Sequence, residues 1–138
     1  MATPFTGGCR CGAIRYECRA EPVLAGNCHC RDCQQVSGSA FAANILVPQD
    51  AFKLTSGEPK YHDVKADSGN IVSRGFCPEC GSPLVAKNSG MPQLMAVRVG
   101  SIDDPSWYRP ALDVYTDSAQ PWDVMNPDIP KSPKMPQM

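Results

Sequence analysis

The chain has 138 residues, with 13 Lys and Arg against 14 Asp and Glu, so its formal charge is −1. One domain over residues 1–138 accounts for this length. The balanced charge argues against a nucleic-acid partner or an anionic membrane held by bulk electrostatics. Gly and Pro together make up 25 of the 138 residues, about 18%, which favours short elements over a bundle of long helices.

The pattern along the chain predicts short strands separated by turns. Alternation predicts a strand at Ala13–Cys18, in which Cys18 is a small, half-buried residue, and a longer strand at Gly38–Val47. A helical turn follows at 47–52, and a hairpin turn is expected at Asp67–Asn70. The remaining predicted strands are Tyr61–Val64, Ile71–Phe76, Leu84–Lys87, Leu94–Val99 and Leu112–Tyr115.

Strands this short, at this spacing, predict a mainly β domain of antiparallel sheets. Residues 118–138 differ, because they carry five prolines and few apolar residues. We expect this segment to wrap over the surface or to be partly disordered. The N-terminus shows no charged, apolar leader, and no apolar run is long enough to cross a bilayer. A reducing, cytoplasmic location is therefore expected, with no membrane partner, and there cysteines more often bind metal than pair as disulfides.

Seven of the eight cysteines lie in three clusters. The two clusters that end in Cys-Gly have the form of zinc knuckles, since glycine allows a backbone turn that points N–H groups at sulfur. Together they predict a closed, structural zinc site at Cys9, Cys11, Cys77 and Cys80. Three thiols then remain, and three ligands with a fourth position open are typical of catalytic zinc. These are Cys28, Cys30 and Cys33.

Two other arrangements fit the same spacing. A single zinc ribbon would pair Cys30 and Cys33 with Cys77 and Cys80, and would leave Cys9, Cys11 and Cys28 unused. Disulfides between such close neighbours would be strained by the required Cα separation and dihedral angle.

With these motifs the chain resembles the family named for the glutathione-dependent formaldehyde-activating enzyme, which also includes centromere protein V. The matching stretches are GGCRCGAIRYE, CHCRDCQQVSGSAF, GEP at 57–59, DSGNIVSRGFCPECGSPL, VRVGSIDDPS and SAQPW. The resemblance implies a β-tent, in which small antiparallel sheets surround a structural zinc. It also implies the same division of the seven cysteines into a structural and a catalytic zinc site.

The chain departs from the family pattern at two places outside the zinc motifs. Asp113 stands where the family often has histidine before the late strand, and the sequence at 129–132 lacks the usual aromatic residue. Both departures bear on the substrate.

The open site predicts thiol chemistry. Zinc with three thiolates carries a net charge of 2 − 3 = −1, which makes it a poor activator of water but suits a fourth sulfur ligand. Two zinc ions per chain are expected, with glutathione as a co-substrate. The expected partners are a small thiol and a small aldehyde, which the protein would join or split as a carbon–sulfur lyase or synthase. This is also the activity that the resemblance implies.

Residues beside the open site receive weaker interpretations. His29, between two ligands, is expected to lie behind the metal site or at the surface, with proton acceptance from a thiol as a further hypothesis. Arg10 and Arg31 would offset thiolate charge, bind a substrate carboxylate, or simply be solvated. Gln34, Ser37 and Gly38 either line a pocket or form a helix end and turn.

Two other classes of function fit the zinc motifs. A non-catalytic protein-interaction module would need a fourth protein ligand at the second site. A redox or metal sensor would use three adjacent thiols that oxidise once zinc is lost.

Overall fold

Strands are the commonest regular element in the computed structural model, which describes residues 4–136. Residues 1–3 lie outside the described part of the chain, as do residues 137–138, the last two of the proline-rich segment. The strands are β1 Phe5–Gly8, β2 Arg15–Cys18, β3 Leu24–Cys28, β4 Ala42–Pro48, β5 Phe52–Ser56, β6 Lys60–Lys65, β7 Ile71–Phe76, β8 Pro83–Asn88, β9 Leu94–Arg98 and β10 Leu112–Val114. Among these residues the α-helix is α1, Arg31–Ser37, and short 3₁₀ turns lie at Gln49–Ala51, Val99–Ser101, Pro105–Trp107 and Thr116–Ser118.

The strands form two sheets. Three of them pair in the order β1-β2-β5, and seven pair in the order β10-β3-β4-β9-β8-β7-β6. The mainly β prediction is confirmed. All strand pairs are antiparallel except β3 with β10, which run parallel, an arrangement that requires a long connection between the two strands.

Residues from both sheets build one apolar core. In β4 the fully buried side chains of Ile45 and Val47 alternate with partly exposed ones, as expected for a strand with one face in the core. Val97 of β9 and Tyr16 of β2 belong to the same cluster. The Tyr16 hydroxyl lies 2.5 Å from the Ser101 Oγ, which satisfies its polar end inside the core.

The other face of the seven-stranded sheet carries polar residues. Residues directly opposite in antiparallel strands project to the same side, and register pairs Cys28 with Ala42 and Asn44 with Arg98. Ala42 and Asn44 are two residues apart on β4, so Cys28 and Arg98 share this face. The face opposite the core therefore holds one of the cysteine clusters.

Several local predictions are confirmed, with shifted ends. The hairpin turn closes where expected, with Gly69 at φ +90° and its N–H donating to the Ala66 carbonyl at 2.9 Å. The helical turn between β4 and β5 is present as Gln49–Ala51. The predicted strand at Gly38–Val47 begins only at Ala42, because Gly38 caps α1 in the left-handed conformation at φ +70°.

The segment after Ser118 makes specific contacts with the sheet edge. Ser132 N–H donates to the Asp113 carbonyl at 2.8 Å, and Asp113 N–H donates to the Pro130 carbonyl at 2.9 Å. Lys131 forms an isolated parallel bridge with Asp113. No helix within residues 4–136 has the length and apolar character needed to cross a membrane.

Candidate metal centres

Four thiols meet where the loop after β1 approaches the loop after β7. All four Sγ atoms lie within 4.8 Å of one another. The Cys9 and Cys11 sulfurs are 3.6 Å apart, and those of Cys11 and Cys77 are 3.8 Å apart. A tetrahedral zinc with bonds of about 2.3 Å has sulfur–sulfur edges of about 3.8 Å. The donors Cys9, Cys11, Cys77 and Cys80 therefore fit a zinc ion.

Both loops have the knuckle geometry predicted from their glycines. Gly12 has φ +83° and Gly81 has φ +79°, which confirms the expected left-handed turns. Backbone N–H groups point at sulfur, from Ile14 to the Cys9 Sγ at 3.2 Å and from Cys80 to the Cys77 Sγ at 3.5 Å. Burial raises the pKa of Cys9, but the hydrogen bond from Ile14 and those from Cys11 and Cys77 outweigh it and leave that pKa below its ordinary value.

The second cluster is built from the end of β3 and the start of α1. Cys28 ends the strand, Cys30 is the N-cap of the helix, and Cys33 lies in its first turn. The three Sγ atoms lie within 4.8 Å of one another, and no other His, Cys, Asp or Glu ligand atom in residues 4–136 joins them. The ribbon alternative is not what the fold builds, because Cys30 and Cys33 lie apart from Cys77 and Cys80. All eight cysteines are free thiols, so disulfides are absent from this structure.

The three thiols share their protons unequally. Hydrogen bonds from Cys28 and Cys30, together with the positive charges of Arg98 and Arg74, lower the pKa of Cys33 to about 2. The pKa of Cys28 is raised, because its thiol hydrogen-bonds to Cys30 and Cys33. The cluster therefore offers one thiolate and two thiols whose sulfur atoms lie close together. A soft divalent ion such as zinc can bind such a set of donors.

His29 lies between two of these cysteines but turns away from them. Its side chain is 1% exposed, so the surface interpretation is wrong. Nε2 lies 2.8 Å from the Asp113 Oδ1, and Nδ1 lies 2.5 Å from the Asp123 Oδ2. Both ring nitrogens are occupied by carboxylates, which leaves neither free to take a proton from a thiol.

Asp113 is the centre of this buried network. Burial raises its pKa, but hydrogen bonds from His29 and Lys131 outweigh burial and leave the pKa below its ordinary value. The Lys131 Nζ lies 3.1 Å from the Asp113 Oδ2. The residue that departs from the family pattern is thus the one that fixes the histidine between the ligands. Sequence spacing gave no sign of this contact, because His29 and Asp113 are 84 residues apart.

Gln34 ties the ligand loop to the later chain. Its Nε2 donates to the His29 carbonyl at 2.8 Å and to the Ser118 carbonyl at 3.0 Å. Its Oε1 accepts from Gln120 Nε2 at 3.0 Å. Gln34 is buried at 4% exposure, so it braces the loop and does not line the cavity described next.

A cavity of about 300 Å³ opens beside α1. Its lining includes Val36, Ser37, Phe41, Ala42, Ser82 and Arg98. Of the two interpretations given for these residues, Ser37 follows the first and lines a pocket. Gly38 follows the second and ends the helix. Val36 and Ser37 stand three and four residues after Cys33, which places the cavity along the helix face that carries this thiol.

Three further residues near the cluster escaped the sequence analysis. Arg74 and Arg98 are close enough to act electrostatically on Cys33, whereas Arg10 and Arg31 are exposed. Tyr115 adopts φ +56°, rare for a non-glycine residue, and its pKa is raised by burial and then by the electrostatic influence of the nearby cysteine cluster. Only the fold brings these three residues to the cluster.

Known proteins resemble this chain in fold or in sequence. A crystal structure of a Rhodobacter sphaeroides protein superposes with a TM-score of 0.57 at 18% identity, covering 91% of this chain and 98% of that one, which shows a shared fold. Two fungal proteins carry the name "Putative glutathione-dependent formaldehyde-activating enzyme". The one from Colletotrichum graminicola is 29% identical over 119 residues, 78% of this chain. The one from Penicillium rubens is 30% identical over 122 residues, 83% of this chain.

The chain spans about three fifths of these relatives, 61% and 63% of their lengths. Within the chain itself, the sequence profile described as "Glutathione-dependent formaldehyde-activating enzyme" matches residues 4–118. That range contains both cysteine clusters. On this match, the chain belongs to the glutathione-dependent formaldehyde-activating enzyme family.

Proposed function

We propose that the protein is a zinc-dependent carbon–sulfur lyase or synthase that acts on a thiol–aldehyde adduct such as S-hydroxymethylglutathione. Cys28, Cys30 and Cys33 would hold the zinc at which the thiol binds. The observation that carries the proposal is a cluster of three thiols with no fourth ligand within residues 4–136. A site that keeps one coordination position open can accept a substrate atom.

The four-thiol cluster has a different proposed role. Its four donors can complete a tetrahedral shell, so zinc there would be structural. It would join the loop after β1 to the loop after β7, which are 66 residues apart at Cys11 and Cys77. The free energy of metal binding would then contribute directly to folding.

Zinc held by Cys28, Cys30 and Cys33 would supply a soft centre suited to a fourth sulfur, the chemistry that lowers the pKa of a thiol and keeps it nucleophilic. The protein supplies the position of the ligands. The pair of carboxylates on His29 fixes the loop between Cys28 and Cys30, and α1 fixes Cys33. The cavity beside α1, lined by residues three and four positions after Cys33, offers room for a small aldehyde.

The reaction is an addition and needs no redox partner. In the synthetic direction the thiol sulfur attacks the aldehyde carbon and forms the carbon–sulfur bond. The carbonyl π bond breaks, and its oxygen takes up the proton released by the thiol. The lyase direction reverses each change and returns thiol and aldehyde.

Zinc analysis and an exchange assay together test the proposal. We expect about two zinc ions per chain in protein purified under reducing conditions, about one in Cys30→Ala, and about two in the control Cys18→Ala. Cys18 is a buried thiol outside both clusters. NMR exchange spectroscopy of glutathione with formaldehyde should show faster adduct exchange with the wild type and the control than with buffer or Cys30→Ala. Loaded protein that leaves the spontaneous rate unchanged would refute this substrate pair.

A further inference from the structure

Two arginines lie on the same sheet face as the three-thiol cluster. Register pairs Arg74 with Ala86 and Ala86 with Ala96. Ala96 is two residues before Arg98 on β9, so both arginines project from one face. As the registers of β3, β4 and β9 showed, Cys28 projects from that face as well.

Arg98 is a buried cation that has no carboxylate partner in the described chain and reaches the Cys33 thiolate only through its charge. Arg98 is 9% exposed, and its Nη1 donates to the Asn44 Oδ1 at 2.7 Å. Within residues 4–136 no carboxylate forms a salt bridge with it. A guanidinium is rarely buried without an anion, since burial of an unpaired charge is costly. Asn44 accepts this one hydrogen bond and so fixes the position of the guanidinium group.

Arg74 shows a related deficit. Its Nε is buried and has no hydrogen-bond partner among residues 4–136. It also makes no salt bridge with a carboxylate of the described chain. A buried donor without a partner costs free energy unless a ligand satisfies it.

Arg98 also faces the cavity. It lines the volume of about 300 Å³ together with Ser37, Ser82 and the apolar side chains of Val36 and Phe41. Its charge therefore reaches both the thiol cluster and the space where a small molecule would lie. A planar guanidinium fork at the wall of an otherwise largely apolar cavity matches a carboxylate in shape and charge.

We propose that Arg98, supported by Arg74, forms a carboxylate-binding site next to the three-cysteine cluster, so that the protein selects thiol–aldehyde adducts carrying a carboxylate. The inference rests on the proposed function for the identity of the adduct. The carboxylate can belong to the thiol half or to the aldehyde half, and both offer the same chemistry to the guanidinium. The site would orient the adduct by a charge-assisted, two-point contact while its sulfur lies at the cysteines.

Binding measurements on the intact, zinc-containing protein test the site without requiring turnover. Calorimetry would compare 3-mercaptopropionate with 2-mercaptoethanol, and glyoxylate with formaldehyde. We expect the wild type to prefer the carboxylate of at least one pair by about tenfold, the range of a charge-assisted contact. Arg98→Gln should abolish that preference, and Arg74→Gln should reduce it. Arg19→Gln, at an exposed arginine paired with Glu17, should leave it unchanged.

Arg98→Lys separates a shaped site from a general positive field. Lysine keeps the charge but loses the fork, so the preference should fall several-fold. A preference fully retained in Arg98→Lys and Arg98→Gln would overturn the proposal, as would the absence of any preference in the wild type. Zinc content of each variant must match the wild type, since loss of metal would lower binding of both members of a pair equally.

The two proposals fail in different ways. A preference confined to the thiol pair assigns the carboxylate to the thiol, and one confined to the aldehyde pair assigns it to the aldehyde. If the protein discriminates carboxylates through Arg98 but does not accelerate adduct exchange, the proposed carboxylate site stands and the proposed lyase activity is refuted. If it accelerates exchange without any such discrimination, the activity stands and the carboxylate site is refuted.

Discussion

Replacing Asp123 with alanine removes one of the two carboxylates that enclose His29. The Asp123 side chain is 2% exposed and its Oδ2 lies 2.5 Å from the histidine Nδ1. The substitution leaves a buried polar nitrogen without a partner, beside an imidazole that is itself 1% exposed. Leaving a buried polar group without its partner costs about 1–3 kcal/mol. We expect a loss of about 3 kcal/mol, the upper end, because both side chains are almost fully buried, although Asp113 continues to hold the other nitrogen.

Urea unfolding at a fixed zinc concentration measures this loss. With a slope of about 2 kcal/mol per molar urea, the transition midpoint should fall by about 1.5 M while the slope stays unchanged. Asp128→Ala serves as the matched control, because Asp128 lies exposed in the same segment and should shift stability by less than about 0.5 kcal/mol. If Asp123→Ala behaves like this control, the buried network does not hold the segment after Ser118 against the loop between Cys28 and Cys30.

Two further predictions concern an ion pair, between Arg15 and Asp103, and a tight turn at Gly57. The hydrogen bond from Arg15 lowers the pKa of Asp103 to about 2 from its ordinary 3.8, so its stabilising contribution is present above about pH 4 and is lost as pH falls towards 2. Because the Asp103 side chain is 47% exposed, we expect less than about 1 kcal/mol, measured as a flatter acid-unfolding profile in Asp103→Asn; an unchanged profile would contradict it. Gly57→Ala should cost at least ~2 kcal/mol in thermal or urea unfolding, because φ is +68° and the new Cβ would lie 2.4 Å from the Ala13 carbonyl oxygen. Gly69→Ala, also at positive φ but with no atom within 4 Å, should cost only about 1 kcal/mol, and equal costs at both sites would refute the close-approach argument.

The grouping of the cysteines could be predicted because it depends on local rules. A knuckle needs two thiols and a glycine within a few residues, and Gly12 and Gly81 take the expected conformation. The three thiols around α1 likewise come from one short stretch of chain. Such information is contained in neighbouring residues, so spacing alone revealed it.

Contacts between distant strands could not be predicted in this way. Strand β3 has Gly26 and Asn27 at its centre, so its sequence lacks the alternation that indicated the other strands. Its identity as a strand depends on neighbours β4 and β10. The burial of His29 and the position of Arg98 depend on the same pairing.

The parallel pairing of β3 with β10 has a consequence for how the protein is made. On a growing chain, β3 ends at Cys28 and the three-thiol cluster is complete at Cys33, but the partner strand is not finished until residue 114. The four-thiol cluster similarly waits for Cys80. During synthesis the early thiols therefore wait for these later residues before the contacts of the folded protein can form around them. Contacts across such separations also slow folding, since a long loop must close before they form. The nascent chain thus carries all three thiols of the open cluster well before the strand that fixes their loop has been made.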